Sequence, residues 1–150
     1  MRQPEILLVE DNPDDVELTL LAFKKCRIAN KIVVAHDGAE ALDYLLGGGK
    51  HAANPPDLPA MVILDLNLPK LPGIEVLKRI RAAPRTALLP VVILTTSLEE
   101  QDVLGCYRGG CNAYVQKPVS FDEFLDTASR LGLFWLVLNI PPPQPLSHAV

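Results

Sequence analysis

Ile6-Leu7-Leu8-Val9-Glu10-Asp11-Asn12-Pro13-Asp14-Asp15 joins an apolar run to a knot of acids and a helix start. Four consecutive apolar residues read as a strand buried on both faces, the habit of parallel sheets. Asn12 can cap a helix, Pro13 suits its first position, and the acids favour the positive helix end. That helix runs to about Cys26. Its Val16, Leu18, Leu20, Leu21 and Phe23 are too apolar for a surface face alone. The motif of apolar run then charge recurs downstream. Met61-Val62-Ile63-Leu64 ends at Asp65, and Ala113-Tyr114-Val115-Gln116 ends at Lys117.

Working outward, strand and helix signals alternate along the chain. Strands are expected over about residues 5–10, 31–35, 60–65, 90–95 and 112–116. Asp37 with Glu40 forms a capping box for a second helix, which Gly47-Gly48-Gly49 stops near Leu46. A proline-containing loop extends to about Pro59. A third helix carries Ile74, Val76, Leu77 and Ile80 and stops near Pro84. Ser97-Leu98-Glu99-Glu100 and Ser120-Phe121-Asp122-Glu123 read as capping boxes for the fourth and fifth helices. Gly109-Gly110 ends the fourth, and the fifth continues to about Leu131. Repeated βα units of this length predict an α/β, flavodoxin-like, doubly wound five-stranded parallel sheet, strand order 2-1-3-4-5, with a C-terminal extension.

Bulk properties narrow the classes. The 150-residue chain is 49% hydrophobic, enough for one domain with a real core. A net charge of −4 gives no basic footprint for nucleic acid or an anionic membrane. No apolar run reaches the roughly 20 residues that span a bilayer. The start has no signal-peptide pattern, so a cytoplasmic location is expected. Cys26, Cys106 and Cys111 lack C-x-x-C spacing and read as reduced structural thiols.

In an open α/β sheet, ligands bind outside the carboxyl ends of the strands. The expected order makes the strands that end in Glu10-Asp11 and Asp65 neighbours, with Thr95 and Lys117 approaching from the fourth and fifth. Three carboxylates against one ammonium require that one carboxyl takes up a proton or that a cation intervenes. Only oxygen donors are at hand, which favours Mg²⁺ or Mn²⁺ over Zn²⁺. Asp65, at the tip of the central strand, can attack phosphorus to give an acyl phosphate. Lys117 and Thr95 would then stabilise the phosphoryl oxygens. No general acid or base accompanies them, so stoichiometric transfer from a donor, not enzymatic turnover, is expected.

The set Val9-Glu10-Asp11-Asn12, Leu64-Asp65-Leu66-Asn67-Leu68-Pro69, Leu94-Thr95-Thr96 and Gln116-Lys117-Pro118 resembles a two-component response-regulator receiver domain over about residues 4–131. The resemblance implies that Asp65 accepts phosphate from the phosphohistidine of a sensor histidine kinase. It implies Mg²⁺ held by Asp11, Asp65 and the backbone carbonyl of Asn67, with Glu10 acting through water. Lys117 would pair with Asp65 or the phosphoryl group, and its bond to Pro118 would be cis. Thr95 and Tyr114 would be switch residues, reshaping the surface of the fourth helix, fifth strand and fifth helix. Residues 1–131 are then the receiver domain.

Residues 132–150 form an apolar, then proline-rich extension. Gly132-Leu133-Phe134-Trp135-Leu136-Val137-Leu138-Asn139-Ile140 before Pro141-Pro142-Pro143 reads either as an extra turn on the chain's own core or as an arm for a partner. The arm, and with it a homodimer, is the favoured expectation. This ending resembles small stand-alone receivers associated with bacterial and cyanobacterial phytochromes. That likeness implies a phytochrome as the kinase partner, with no DNA-binding or enzymatic output domain.

Other readings compete. Asp11 could be a helix cap, Asp65 a turn residue, and Tyr114 a packed edge-strand aromatic. Thr96 or Ser97 could cap the fourth helix. His36, His51 and His148 read as surface or satisfied residues, and Gly47-Gly48-Gly49-Lys50 lacks P-loop spacing. An aspartyl-phosphate phosphohydrolase would need a general acid two residues after Asp65, where Asn67 stands. A flavin module would need a phosphate-cradling loop in place of Glu10-Asp11-Asn12-Pro13-Asp14-Asp15. A receiver-like adaptor that is never phosphorylated is the remaining alternative.

Overall fold

The computed structural model describes residues 4–53 and 56–143. Five strands, β1 (Ile6–Val9), β2 (Ile32–Ala35), β3 (Met61–Leu64), β4 (Val91–Thr95) and β5 (Ala113–Gln116), alternate with five helices. These are α1 (Pro13–Lys25), α2 (Gly38–Leu46), α3 (Gly73–Ala82), α4 (Glu100–Arg108) and α5 (Phe121–Gly132). All four ladders are parallel, in the order β2-β1-β3-β4-β5. This is the flavodoxin-like sheet that the sequence predicts.

The apolar runs become strands because both sheet faces are covered. Leu7, Val9, Val62, Leu64, Val91 and Ile93 pack toward α2 and α3. Ile6, Leu8, Met61, Ile63, Val92 and Leu94 pack against Ala22 and Phe23 of α1 and Phe124 and Ala128 of α5. Each large side chain buried in this way contributes roughly 1.5–3 kcal/mol relative to exposure. In α1, however, Leu20 and Leu21 are each 38% exposed. Thr19 is buried instead, its hydroxyl donating to the Asp15 carbonyl at 2.8 Å. A satisfied hydroxyl enters a core at little cost, so α1 sits rotated from the face its leucines suggest.

Three of the expected caps form. Asn12 Oδ1 accepts from the Asp14 and Asp15 amides, Asp37 from Glu40, and Ser120 from Glu123. Gly47, at φ 78°, ends α2 in the left-handed region that glycine enters freely. A short 3₁₀ turn, Gly49–His51, follows where the sequence suggests only loop. The Ser97 box does not form, and α4 begins at Glu100. Ser97 Oγ donates to Asp102 Oδ2 at 2.6 Å and accepts from the Glu99 amide at 3.2 Å, which holds a turn in place of a helix start. No described peptide bond is cis. The Lys117–Pro118 bond is therefore trans, the form that X–Pro pairs favour by about 0.5–1 kcal/mol.

Two contacts brace the loops around the sheet. A Cβ on Gly73 would lie 2.2 Å from the Asp65 carbonyl oxygen, so only glycine lets α3 start against the backbone that carries Asp65. Arg81 donates to the carbonyls of Gly110 (2.8 Å) and Leu89 (2.7 Å) and to Asn112 Oδ1 (2.8 Å). It thereby ties α3 to the entries of β4 and β5.

Beyond α5 the chain continues as a π-helical turn, Leu133–Leu138. Trp135 and Leu136 pack on the α1–α5 side of the core, with Phe134 edge-on to Trp135 at 5.0 Å. Leu133, Phe134, Val137, Leu138 and Ile140 stay exposed. Pro141, Pro142 and Pro143 line a cavity of about 250 Å³ with Leu58, Pro59 and Leu88. The extension thus divides between the chain's own body and solvent. His148 and the rest of 144–150 lie outside the described residues. Among those described, no helix is long and apolar enough to cross a membrane. Cys26, Cys106 and Cys111 are free, and burial pushes the Cys106 thiol up to about 11, away from reactivity.

Candidate functional site

Register places the site. Val9 pairs with Leu64 across β1 and β3, so Glu10 and Asp65 emerge side by side where those strands end. The Lys117 amide donates to the Thr95 carbonyl at 2.7 Å, carrying the β4–β5 ladder one step further to the same rim. One oxygen from each of Glu10, Asp11 and Asp65 lies within 4.8 Å of the other two. The Lys117 ammonium reaches Glu10 Oε1 at 2.5 Å, Asp15 Oδ2 at 2.8 Å and Asp65 Oδ2 at 3.1 Å. Glu10, Asp65 and Lys117 are 3%, 6% and 8% exposed, whereas Asp11 is open to solvent.

The charges do not balance. Three carboxylates share one ammonium, a fourth at Asp11 stands close by at the solvent edge, and burial penalises the charge left unpaired on the inner side. Burial pushes the Glu10 carboxyl up to about 7, and the Asp65 charge adds to this against the pull of the Lys117 hydrogen bond. For Lys117, burial favours losing the proton. The hydrogen bonds that Lys117 donates to Asp15 and Glu10 and the charges of Asp65 and Glu10 outweigh it, so its proton is held more tightly than usual.

The donor chemistry fits a hard divalent cation. All candidate ligands are carboxylate oxygens, Asp11 gives access from solvent, and the cluster has an excess of negative charge that a cation would offset. The Asn67 amide donates to Asp65 Oδ1 at 3.3 Å, which holds Asn67 at the same rim.

A pH effect follows. The folded-state pKa of Glu10 is raised, so folding takes up a proton as pH rises from 4.5 toward 7. The stability this provides is present on the acid side and lost as pH rises through about 7. A bound cation favours ionised Glu10, so metal binding should release close to one proton near pH 6 and close to none near pH 8. Apparent metal affinity should rise over the same interval. Calorimetry in buffers of different ionisation enthalpy counts the protons, and a count that does not change with pH would contradict the assignment.

The two remaining predicted residues sit slightly apart. Thr95 is fully buried, and its Oγ1 accepts from the Ser97 amide at 3.4 Å. Tyr114 is half-buried, packs beside the α2–α3 core, and donates to the Ser97 carbonyl at 2.9 Å. Both are thus tied to the loop after β4. Asp15 is the residue that sequence reasoning passes over as a functional group. Its acid reads as a helix-dipole partner in the first turn of α1, yet its carboxylate accepts from the Lys117 ammonium at 2.8 Å.

Residues 6–129 match the response regulator receiver domain family. A probable methanogenesis regulatory protein, FilR2 of Methanothrix harundinacea, is 41% identical over 91% of this chain and 86% of its own length. Response regulator Rcp1 of Synechocystis sp. is 36% identical over 87% of this chain and 88% of its own. Among solved structures, the phosphorylated cyanobacterial phytochrome response regulator RcpA superposes with TM-score 0.88 at 34% identity, covering 94% of this chain and 99% of that one. The Mn²⁺-bound form of Rcp1 gives 0.85 at 34%, covering 93% and 99%. The bacteriophytochrome response regulator AtBRR gives 0.74 at 50%, covering 93% and 100%. The sheet order, the acidic rim with its lysine and a family match over most of the length agree: the chain belongs to the response regulator receiver domain family.

Proposed function

We propose that this chain is a phosphorylatable signalling switch whose acceptor is Asp65. One observation carries the reading: the Lys117 ammonium bonds Glu10 and Asp65 together while an Asp11 oxygen lies within 4.8 Å of theirs. An oxygen of Asp65 attacks the phosphorus of a phosphohistidine. The new O–P bond forms as the P–N bond breaks, and the imidazole leaves with the electron pair. Lys117 donates to a phosphoryl oxygen, and the Thr95 hydroxyl turns in to do the same. A divalent ion, taken as Mg²⁺ with Mn²⁺ as a substitute, would be held by Asp11, Asp65 and the Asn67 carbonyl, with Glu10 through water, and would neutralise the phosphoryl oxygens. Tyr114 and the loop at Ser97 follow Thr95, altering the face that exposes Leu98, Leu104, Tyr107 and Val119.

The partner is a sensor histidine kinase, and we take it to be a phytochrome because several similar proteins are phytochrome response regulators. The chain is a phosphoacceptor rather than an enzyme, acting in the cytoplasm. A phosphohydrolase is disfavoured because Asn67 has no carboxyl proton to give. The test is mixing the chain with an autophosphorylated bacteriophytochrome kinase and Mg²⁺. Label should pass to the chain within minutes, and label that stays on the kinase would overturn the partner assignment.

We take residues 1–131 as the receiver domain and 132–150 as an arm that joins two copies. Phe134, Val137, Leu138 and Ile140 are left exposed within one short stretch, the kind of apolar surface that a partner covers. Val137→Asp with Leu138→Asp leaves Trp135 and Leu136 on the core, so the fold should survive while the dimer separates. Light scattering reads the mass, and an unchanged dimer would remove the arm from the account.

A further inference from the structure

Asp15 has no place in the phosphoryl-transfer scheme above, yet it holds the residue that the scheme depends on. Lys117 has three N–H donors, and three carboxylates take all of them: Glu10 at 2.5 Å, Asp15 at 2.8 Å and Asp65 at 3.1 Å. The longest of the three is the one to the phosphoacceptor. The donor now on Asp65 can pass to an arriving phosphoryl group, and bringing the ammonium fully onto that group requires one of the other two bonds to open. Glu10 is the poor candidate to release, since a buried carboxylate cut off from its cation is costly. Asp15 is the good one. Its side chain is 27% exposed and sits in the first turn of α1, where water can replace the lysine.

We propose that Asp15 is a positioning residue that occupies a Lys117 donor as an internal stand-in for a phosphoryl oxygen. While Asp65 is bare, Asp15 holds the ammonium to one side. When Asp65 is esterified, the donor passes to the phosphoryl oxygen and Asp15 turns to water. The acid therefore opposes phosphorylation in two ways. It competes for the lysine, and it adds a negative charge beside an incoming anion. Removing it should favour the phosphorylated form, the reverse of what losing a supporting residue does.

This inference rests on the receiver reading, and the experiment separates the two. Affinity for beryllofluoride, a phosphoryl mimic, is measured by calorimetry at saturating Mg²⁺ for the wild type, Asp15→Asn, Asp15→Ala and Asp15→Glu. Asn keeps the shape and the helix start, and Glu keeps the charge. Asn and Ala should bind the mimic about two- to fivefold more tightly, the scale of one partly exposed ion pair, with Glu close to the wild type. Affinity for Mg²⁺ alone should move the other way, falling as a negative charge leaves the rim. A residue that merely supported the site would weaken both. Mimic affinity that is unchanged or reduced in Asn and Ala overturns the role of Asp15 and leaves the receiver reading standing. No binding by the wild type overturns both.

Discussion

Asp65→Asn should abolish formation of the acyl phosphate. The amide is nearly isosteric, and its oxygen can still accept from the Asn67 amide as Oδ1 does now. What it lacks is a nucleophilic anionic oxygen, so a small phosphodonor with Mg²⁺ should leave the intact mass unchanged. The same substitution removes a charge that raises the Glu10 pKa, which should come down toward the ordinary carboxylate range. The fold should hold, because a neutral amide at this rim relieves the crowding of like charges. Metal affinity should drop by about tenfold or more as a carboxylate at this rim gives way to a neutral amide. A phosphate adduct persisting in Asp65→Asn would mean that another side chain is the acceptor.

The second large effect belongs to Lys117→Met. The side chain is similar in length and bulk, so the change is chiefly of charge. Without the ammonium, buried Glu10 and Asp65 and half-buried Asp15 face one another with no cation among them. Removing one partner from a buried ionic cluster costs about 3–5 kcal/mol. The cost should depend on pH in a definite direction. Glu10 loses the hydrogen bond and charge that now lower its pKa, so its folded-state value climbs beyond about 7. The variant should be least stable at high pH in chelator and recover as pH falls and Glu10 takes up its proton. Added Mg²⁺ should restore part of the loss. Denaturation midpoints at about pH 6 and about pH 8.5, with and without the cation, test this. A deficit independent of both pH and metal would show that Lys117 acts through packing.

The sheet was legible because its strands are buried on both faces. Runs such as Met61-Val62-Ile63-Leu64 are too short for a helix and too apolar for a loop, and five βα units at this length suggested the order 2-1-3-4-5. Glu10 and Asp65 could be paired from that order alone, since strand ends that neighbour each other share a rim. Less could be read where one side chain has two local options. Ser97 has the residues of a capping box, but the Asp102 carboxylate on the next turn competes for its hydroxyl and delays α4 to Glu100. Asp15 has a sufficient local reason to stand in a first helical turn, which conceals a partner 102 residues away. Leu20 and Leu21 promised burial that Thr19 took instead, once its hydroxyl found a backbone acceptor. The extension was legible as apolar but not as divided, because the π-helical turn that aims Trp135 inward and Val137 outward leaves no mark in composition.

The most direct test is a crystal structure of the chain with Mg²⁺ and beryllofluoride. The account requires the mimic on an Asp65 oxygen, a Lys117 N–H donated to one of its fluorides, and the cation against Asp11 and Asp65. A mimic seated elsewhere, or a cation that does not touch Asp11, would contradict it.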